Sequence, residues 1–374
     1  MRKKILVLGG GRVGSAIAYD LSIDYNVTIA DINNKILSNL KKQYNYNTLL
    51  SDFSNQTELN KIIQGYDLII SAVPGFMGFQ TLKTIIENKK NVVDISFFPE
   101  NALELNELAI KNNVSALVDF GVAPGLGNVL FGYYDTIMKI DSYECYVGGL
   151  PKNKTKPFEY KAPFSPIDVI EEYTRPARLF ENGKIVIKEP LSEIEIIQFN
   201  DIEDLEAFNT DGLRSLLYTM PHVPQMKEKT LRYPGHAKKI QLLKDVGFFE
   251  ENKRIIDGIE YKPINITANI LKEKWFLKEK EEEFTVMKII LANTNKKITI
   301  DLYDEYDKKN EITSMARTTG YTCTAGANLI MKNIFSNKGV FPPELIGKHV
   351  KCYEFIINYL QKRNITLKIN QKNK

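Results

Sequence analysis

Short apolar runs alternate with helix-spaced patterns through the first third of the chain. Ile5-Leu6-Val7-Leu8 is the first run, and Val13, Ala16, Ile17 and Leu21 follow it at helical spacing. Val27–Ala30 is the next strand pattern, and Ile36, Leu37 and Leu40 then share one helix face. The same rhythm predicts strands at Tyr46–Leu50, Tyr66–Val73, Asn91–Ile95 and Val114–Asp119, with helices at 56–64, after Pro74 and at 100–112. Wholly apolar strands joined by helices predict a parallel sheet covered on both faces. Right-handed crossovers make such a sheet doubly wound.

Near residue 120 the pattern changes. Gly121-Val122-Ala123-Pro124-Gly125-Leu126-Gly127-Asn128 is a turn-rich joint. Beyond it, Ser142–Val147 predicts a strand ending in Gly148-Gly149. Ser165-Pro166-Ile167-Asp168 predicts a helix start, with a cap serine, proline at the first position and an acid in the first turn. Short strands are expected at 184–188 and 195–199, and a helix over His236–Val246 stopped by Gly247. Residues 284–291 and 297–303 form a hairpin across Asn293-Thr294-Asn295, and 311–317 extend that sheet. Thr322–Ile334 and Gly347–Gln361 are helical; the charged stretch Lys272–Glu283 is a solvated helix face or loop. The fold class is therefore α/β, with three parts: a Rossmann domain over 1–122, an α+β domain on an antiparallel sheet over 123–320, and C-terminal helices over 321–374 that pack back on the Rossmann domain.

The first strand-to-helix turn carries candidate chemistry. Gly9, Gly11 and Gly14 have the spacing G-x-G-x-x-G, with Arg12 and Val13 between the second and third glycines. A tight turn, room for a pyrophosphate and close helix packing are what the three positions require. The phosphates meet free N–H groups and the positive end of the helix dipole. Asp31 closes the second strand, at the distance where a carboxylate accepts the adenosine ribose hydroxyls and repels a 2′-phosphate. The expected cofactor is accordingly NAD, with NADP possible because Lys35 lies close by. In such sheets ligands lie beyond the carboxyl ends of the strands. Asp52, then Ala72, Val73 and Pro74, occupy that edge as cofactor-lining candidates. Ser96 and Phe97 point toward the nicotinamide end and the substrate. Asp52 as a turn acid and Pro74 as a strand stop are the plainer alternatives.

Composition narrows the class. The 374 residues carry a net charge of +4, with no block of like charge long enough for a nucleic-acid arm. No apolar run reaches membrane-spanning length, and the chain opens on a strand pattern rather than a signal peptide. Cys145, Cys323 and Cys352 are scattered, and so are the three histidines. Free thiols in a reducing cytoplasm and no metal site are expected.

From about Gly121 onward the motifs become specific. VDFGVAPGLGN, YVGGLP, PFEYKAPFSP, EAFNTDG, KTLRYPGH, MARTTGYT and KGVFPPE follow in order. With the N-terminal fingerprint they resemble the saccharopine dehydrogenase family over nearly the whole chain. The resemblance implies a nicotinamide cofactor, a small amino-acid substrate, and a middle domain that binds substrate and forms a homodimer. It is divided between the glutamate-forming oxidation of saccharopine and the oxidative ε-deamination of lysine. Ser96-Phe97-Phe98-Pro99 and Phe164-Ser165-Pro166 resemble the saccharopine enzymes; the GVAPG and YVGG forms are shared with the lysine enzyme. Ala123 and Val147 depart from the acid and the cysteine that saccharopine reductases carry there. A non-catalytic nucleotide-binding dimer is the third reading.

Oxidising an amine needs a hydride acceptor against the C–H bond and a group that handles the proton. Asp94, Asp119 and His236 are the catalytic candidates, ahead of Tyr160 and Lys161. Saccharopine has three carboxylates, and arginine is the side chain for bidentate carboxylate capture. Arg175, Arg214 and Arg232 are the substrate-binding candidates, Arg214 lying where the resemblance places a substrate arginine. Arg178 and Arg317 are expected to be structural ion pairs.

Overall fold

The computed structural model describes residues 2–44, 46–163 and 166–373. They form two compact units. The first comprises residues 1–140, 214–220 and 315–366; the second comprises 141–213, 221–314 and 367–374.

In the first unit β1 (Lys4–Leu8), β2 (Asn26–Asp31), β3 (Asn47–Leu50), β4 (Leu68–Ser71), β5 (Val92–Asp94) and β6 (Ser115–Leu117) lie in one parallel sheet. Its order is Gly339–Phe341, β6, β5, β4, β1, β2, β3. The apolar runs form strands because both faces are covered: Ile5, Leu6, Val7 and Leu8 are all fully buried. Leu82, Ile85 and Ile86 of helix Gly75–Glu87 pack with Leu6, Ile69 and Val92 in its core.

The seventh strand, Gly339–Phe341, comes from far along the chain and pairs in parallel with β6. Three residues beside two prolines give no readable period. The expected helix over 100–112 is a 3-10 turn, Ala102–Leu105, followed by helix Asn106–Lys111.

Residues 311–317 are not a strand. Helix Ser314–Met331 starts there, and residues 312–318 are buried without a break, which leaves no solvent-facing alternation for an edge strand. Small residues allow it to pack closely: a Cβ on Gly320 would lie 3.3 Å from Ile17 of helix Arg12–Leu21.

The second unit holds a sheet with the order Glu195–Ile197, Leu205–Asn209, Gln225–Arg232, Ser142–Pro151, Glu283–Ala292, Lys296–Glu305, Leu367–Asn373. It is mixed rather than antiparallel, because Gln225–Arg232 runs parallel to Ser142–Pro151. The hairpin across Asn293–Asn295 is present, and Leu367–Asn373 takes the edge beside it. Tyr160, Tyr173, Phe208 and Trp275 anchor the core between this sheet and its helices. Helix Pro166–Thr174 begins at the expected proline; the expected cap, Ser165, lies outside the described residues. Within Lys272–Glu283, helix Pro263–Trp275 ends and a loop follows, but Glu283 is buried and opens the next strand.

Candidate active site

The glycine turn leads from β1 into helix Arg12–Leu21. Gly9 has φ +101°, and a Cβ there would lie 2.4 Å from the Ala72 carbonyl oxygen. A Cβ on Gly14 would lie 2.0 Å from the Gly9 carbonyl oxygen. Both positions therefore need glycine for packing alone. Gly11 differs: a Cβ there meets no heavy atom within 4 Å. The space over Gly11, at a helix N-terminus, fits an anionic group drawn close to the backbone. Gly9, Gly11, Arg12, Val13 and Gly14 would hold a dinucleotide pyrophosphate there.

Asp31 supports this turn directly. Its Oδ2 accepts the Gly10 N–H at 2.7 Å and its Oδ1 accepts the Asn33 N–H at 2.7 Å. Each carboxylate oxygen keeps a further acceptor lone pair. Asp52 closes its own turn by accepting the Ser54 N–H and O–H at 3.0 and 2.7 Å, which lowers its pKa. Ala72 and Val73 follow β4, and Pro74 precedes helix Gly75–Glu87 as its N-cap residue.

Asp94, Ser96, Phe97, Asp119 and Arg214 come together in the first unit at the carboxyl ends of β5 and β6. Asp94 is fully buried, and that burial pushes its pKa up to about 7 against hydrogen bonds from Ser71 and Ser96. Its Oδ1 accepts the Ser96 N–H and its Oδ2 the Ser96 O–H, each at 3.0 Å. Asp119 Oδ1 accepts the Arg214 Nε–H at 2.8 Å, and both side chains are buried. Arg214 Nη1 donates to the Phe98 carbonyl. The guanidinium lies 4.8 Å from the Phe97 ring centroid and 5.2 Å from that of Phe98. Asp119 at φ +57° and Arg214 at φ +48° both occupy left-handed backbone. Such conformations cost on the order of 1–3 kcal/mol each and persist where surrounding structure fixes them. Among the described residues Arg214 Nη2 has no hydrogen-bond partner, which leaves donors for an external acceptor.

A buried glutamate braces the same unit. Glu344 accepts from Asn128 Nδ2 at 3.1 Å and from Thr219 Oγ1 at 2.6 Å. Burial raises its pKa. Residues 214–220 are thus fixed at one end through Arg214 and at the other through Thr219.

The remaining candidates lie in the second unit. Arg232 is buried and donates to Glu172 at 2.6 Å, to Tyr173 at 3.2 Å and to Tyr160 at 3.3 Å. His236 is enclosed beside it, its Nε2 3.0 Å from the Tyr173 hydroxyl and its Nδ1 3.0 Å from the Phe158 carbonyl. Burial, then the Arg232 charge, lowers the His236 pKa to about 3, so the ring is neutral. Both residues are engaged with Tyr160, Glu172, Tyr173 and the Phe158 carbonyl in this buried cluster, apart from the group around Arg214. Arg175 pairs with Glu171 one helical turn away. Arg178 forms the expected structural ion pair, bidentate to Asp211 with both bonds at 2.8 Å. Arg317 Nη2 donates to the Arg363 carbonyl at 2.9 Å. Sequence reasoning missed Glu228, a buried acid whose pKa burial raises to about 8, and which Thr210 Oγ1 contacts at 2.9 Å. Glu228 shares its strand face with Met226, Thr230 and Arg232, so no apolar period marks it in the sequence.

Among the described residues no cluster of His, Cys, Asp and Glu is arranged to hold a metal, and no helix is long and apolar enough to cross a membrane. Cys145, Cys323 and Cys352 are buried free thiols.

A glycine turn fitted to a dinucleotide, on a parallel sheet accompanied by a mixed-sheet unit, defines a two-domain Rossmann protein. Comparison with known families specifies which kind. Residues 5–117 match the saccharopine dehydrogenase NADP binding domain, and residues 121–365 match the saccharopine dehydrogenase C-terminal domain. The chain belongs to the saccharopine dehydrogenase family, whose two domains it carries in order. It is 28% identical over 256 residues to the mitochondrial alpha-aminoadipic semialdehyde synthase of Mus musculus, a match covering 64% of this chain and 28% of that protein. It thus spans little more than a quarter of that relative's length. It is 27% identical to the NADP(+), L-glutamate-forming saccharopine dehydrogenase of Schizosaccharomyces pombe, over 72% of this chain and 64% of that one. The apo saccharopine dehydrogenase (L-Glu forming) of Saccharomyces cerevisiae has the same fold, with a TM-score of 0.80, 19% identity, and coverage of 99% of this chain and 100% of that one.

Proposed function

We propose that this protein is an NAD(P)-dependent oxidoreductase that cleaves the C–N bond of saccharopine, giving glutamate and 2-aminoadipate semialdehyde. The observation that carries the reading is Arg214: a buried arginine at the ligand edge of the sheet, oriented by Asp119 and the Phe98 carbonyl, with Nη2 left for a substrate carboxylate. Saccharopine supplies several carboxylates; lysine supplies one. When bound, the nicotinamide accepts the hydride. Water completes the cleavage, so one saccharopine, one water and one oxidised cofactor yield the two products, reduced cofactor and a proton. The chain's own part is to hold the anion at Arg214 and keep the pyrophosphate over Gly11. Metabolism of lysine, a cytoplasmic location and a homodimer built on the second unit belong to the same proposal. Sedimentation at micromolar concentration tests the dimer, and a monomer there removes it.

The cofactor is a nicotinamide dinucleotide. The matched NADP binding domain and the S. pombe relative's NADP(+) name favour NADP, whereas Asp31 places a carboxylate at the position that ordinarily selects NAD. We take NADP to be used, with Asp31 limiting its advantage.

The deciding experiment incubates purified protein with saccharopine or lysine and each cofactor, following reduced nicotinamide and ammonia. Saccharopine-dependent reduction without ammonia is expected. Ammonia from lysine, with saccharopine ignored, replaces this reading with lysine ε-deamination. No reduction with either substrate leaves a nucleotide-binding protein without this activity.

A further inference from the structure

Two short segments hold Arg214: residues 96–98, through the Phe98 carbonyl and the rings of Phe97 and Phe98, and residues 119–120, through the Asp119 carboxylate. One residue fixes both segments. The Asp94 side chain takes both donors of Ser96, its N–H and its O–H, each at 3.0 Å. The Asp94 carbonyl accepts the Phe120 N–H at 3.1 Å. Asp94 therefore binds the first segment with its carboxyl group and the second with its backbone.

The surroundings leave the first segment little freedom. Ser96 Oγ lies 3.4 Å from Ser71 Oγ, and the Ile95 N–H donates to the Ser71 carbonyl at 3.0 Å. On the outer side a Cβ on Gly78 would come within 2.6 Å of both Ser96 Cβ and Phe98 Cδ1, so helix Gly75–Glu87 presses on the segment. Phe79 adds an edge-on contact to Phe98 at 5.8 Å. With the segment held from outside by Gly78 and from inside by Asp94, the Phe98 carbonyl is fixed where Arg214 Nη1 meets it. Asp94 itself makes no hydrogen bond to Arg214.

We propose that Asp94 is a positioning residue for substrate recognition: by fixing residues 96–98 it sets the direction of the Arg214 guanidinium. The proposal rests on the reading that Arg214 takes a saccharopine carboxylate.

A double-mutant cycle between positions 94 and 214 tests it. Asp94→Ala is expected to raise the saccharopine KM by about tenfold, a coupling in the usual range for residues in one network. The dissociation constant for reduced nicotinamide should stay within about twofold of wild type, because the glycine turn is elsewhere on the sheet edge. Asp94→Asn should recover most of the loss, since it keeps an acceptor for the Ser96 N–H. In an Arg214→Ala background, Asp94→Ala should add little. If Asp94→Ala does not fold, Ser96→Ala enters the same cycle with a smaller expected rise. Multiplicative losses, or equal weakening of cofactor and saccharopine, overturn the positioning role while leaving the Arg214 reading intact. An unchanged saccharopine KM in Arg214→Ala alone overturns both.

Discussion

Asp119 and Arg214 are separated by 95 positions and meet at 2.8 Å, each in left-handed backbone. The pair is buried, so its charges have little water to replace a lost partner. Removing one member of such a pair is typically costly, because the other charge stays buried alone.

Arg214→Ala should therefore act on recognition and on stability. The saccharopine KM is expected to rise by an amount equivalent to about 2–5 kcal/mol, the range for truncating a buried charge pair. Arg214→Lys should recover part of this, since the charge returns without the planar fork. Steady-state kinetics with each variant, beside thermal unfolding, separates the two effects. A saccharopine KM equal to wild type in both variants would exclude a substrate role for Arg214.

The glycine turn offers a substitution that spares the fold. Gly11→Val places its side chain in open space and should leave the melting temperature nearly unchanged. It should abolish measurable binding of reduced nicotinamide, raising Kd by at least about a hundredfold, or roughly 2.7 kcal/mol. Gly14→Val should instead destabilise the protein, because its Cβ would sit 2.0 Å from the Gly9 carbonyl oxygen. Fluorescence titration and calorimetry distinguish these outcomes; unimpaired nicotinamide binding by Gly11→Val would show that the turn is not used.

Asp31→Ala tests cofactor choice. It removes a carboxylate that accepts the Gly10 and Asn33 amides, a loss of about 0.5–1.5 kcal/mol per hydrogen bond. The ratio of kcat/KM for NADP over NAD should increase relative to wild type, with NAD binding weakened. A ratio moving toward NAD would assign Asp31 to holding the turn alone.

His236 gives an acid-sensitive element. Its pKa falls from 6.5 to about 3 in the folded protein, chiefly through burial. The unfolded chain therefore binds the extra proton first as pH falls, and the stability held above pH 6.5 declines toward pH 3. His236→Gln should flatten that part of the stability curve. Glu228 has the opposite sign: its pKa is raised from 4.5 to about 8, so stability declines as pH rises through that interval. Denaturant unfolding across pH 3.5–8 with His236→Gln and Glu228→Gln should show two opposed changes in slope; parallel curves for wild type and both variants would contradict the burial-driven shifts.

The parallel sheet was legible because its strands are buried on both faces, and Ile5–Leu8 or Leu68–Ser71 admit few other readings. Ser314–Met331 was misread at its start because Ile312, Ser314 and Ala316 mimic a period of two, while packing against Ile17 decides for helix. Leu367–Asn373 carries mostly exposed polar side chains, so no alternation marks it as a strand. The site was legible as separate residues. Asp94, Asp119 and Arg214 each stood out by type and motif, but their convergence depends on long-range packing. Arg232 and His236 looked equally chemical in sequence, and their engagement with Tyr160, Tyr173 and Glu172 in one buried cluster is likewise set by long-range packing.

The late strand Gly339–Phe341 bears on how the chain reaches its native state. Until that segment has been synthesised, β6 lacks its outer neighbour and presents unpaired backbone groups along its free edge. The nucleotide-binding half is then not a unit that can be completed at the ribosome and left behind. Its last strand arrives more than two hundred residues after β6, following almost all of the mixed-sheet unit. Pairings so distant in sequence are slow to form. Cutting the chain at its apparent domain boundary should yield an open-edged, aggregation-prone fragment rather than a smaller working domain.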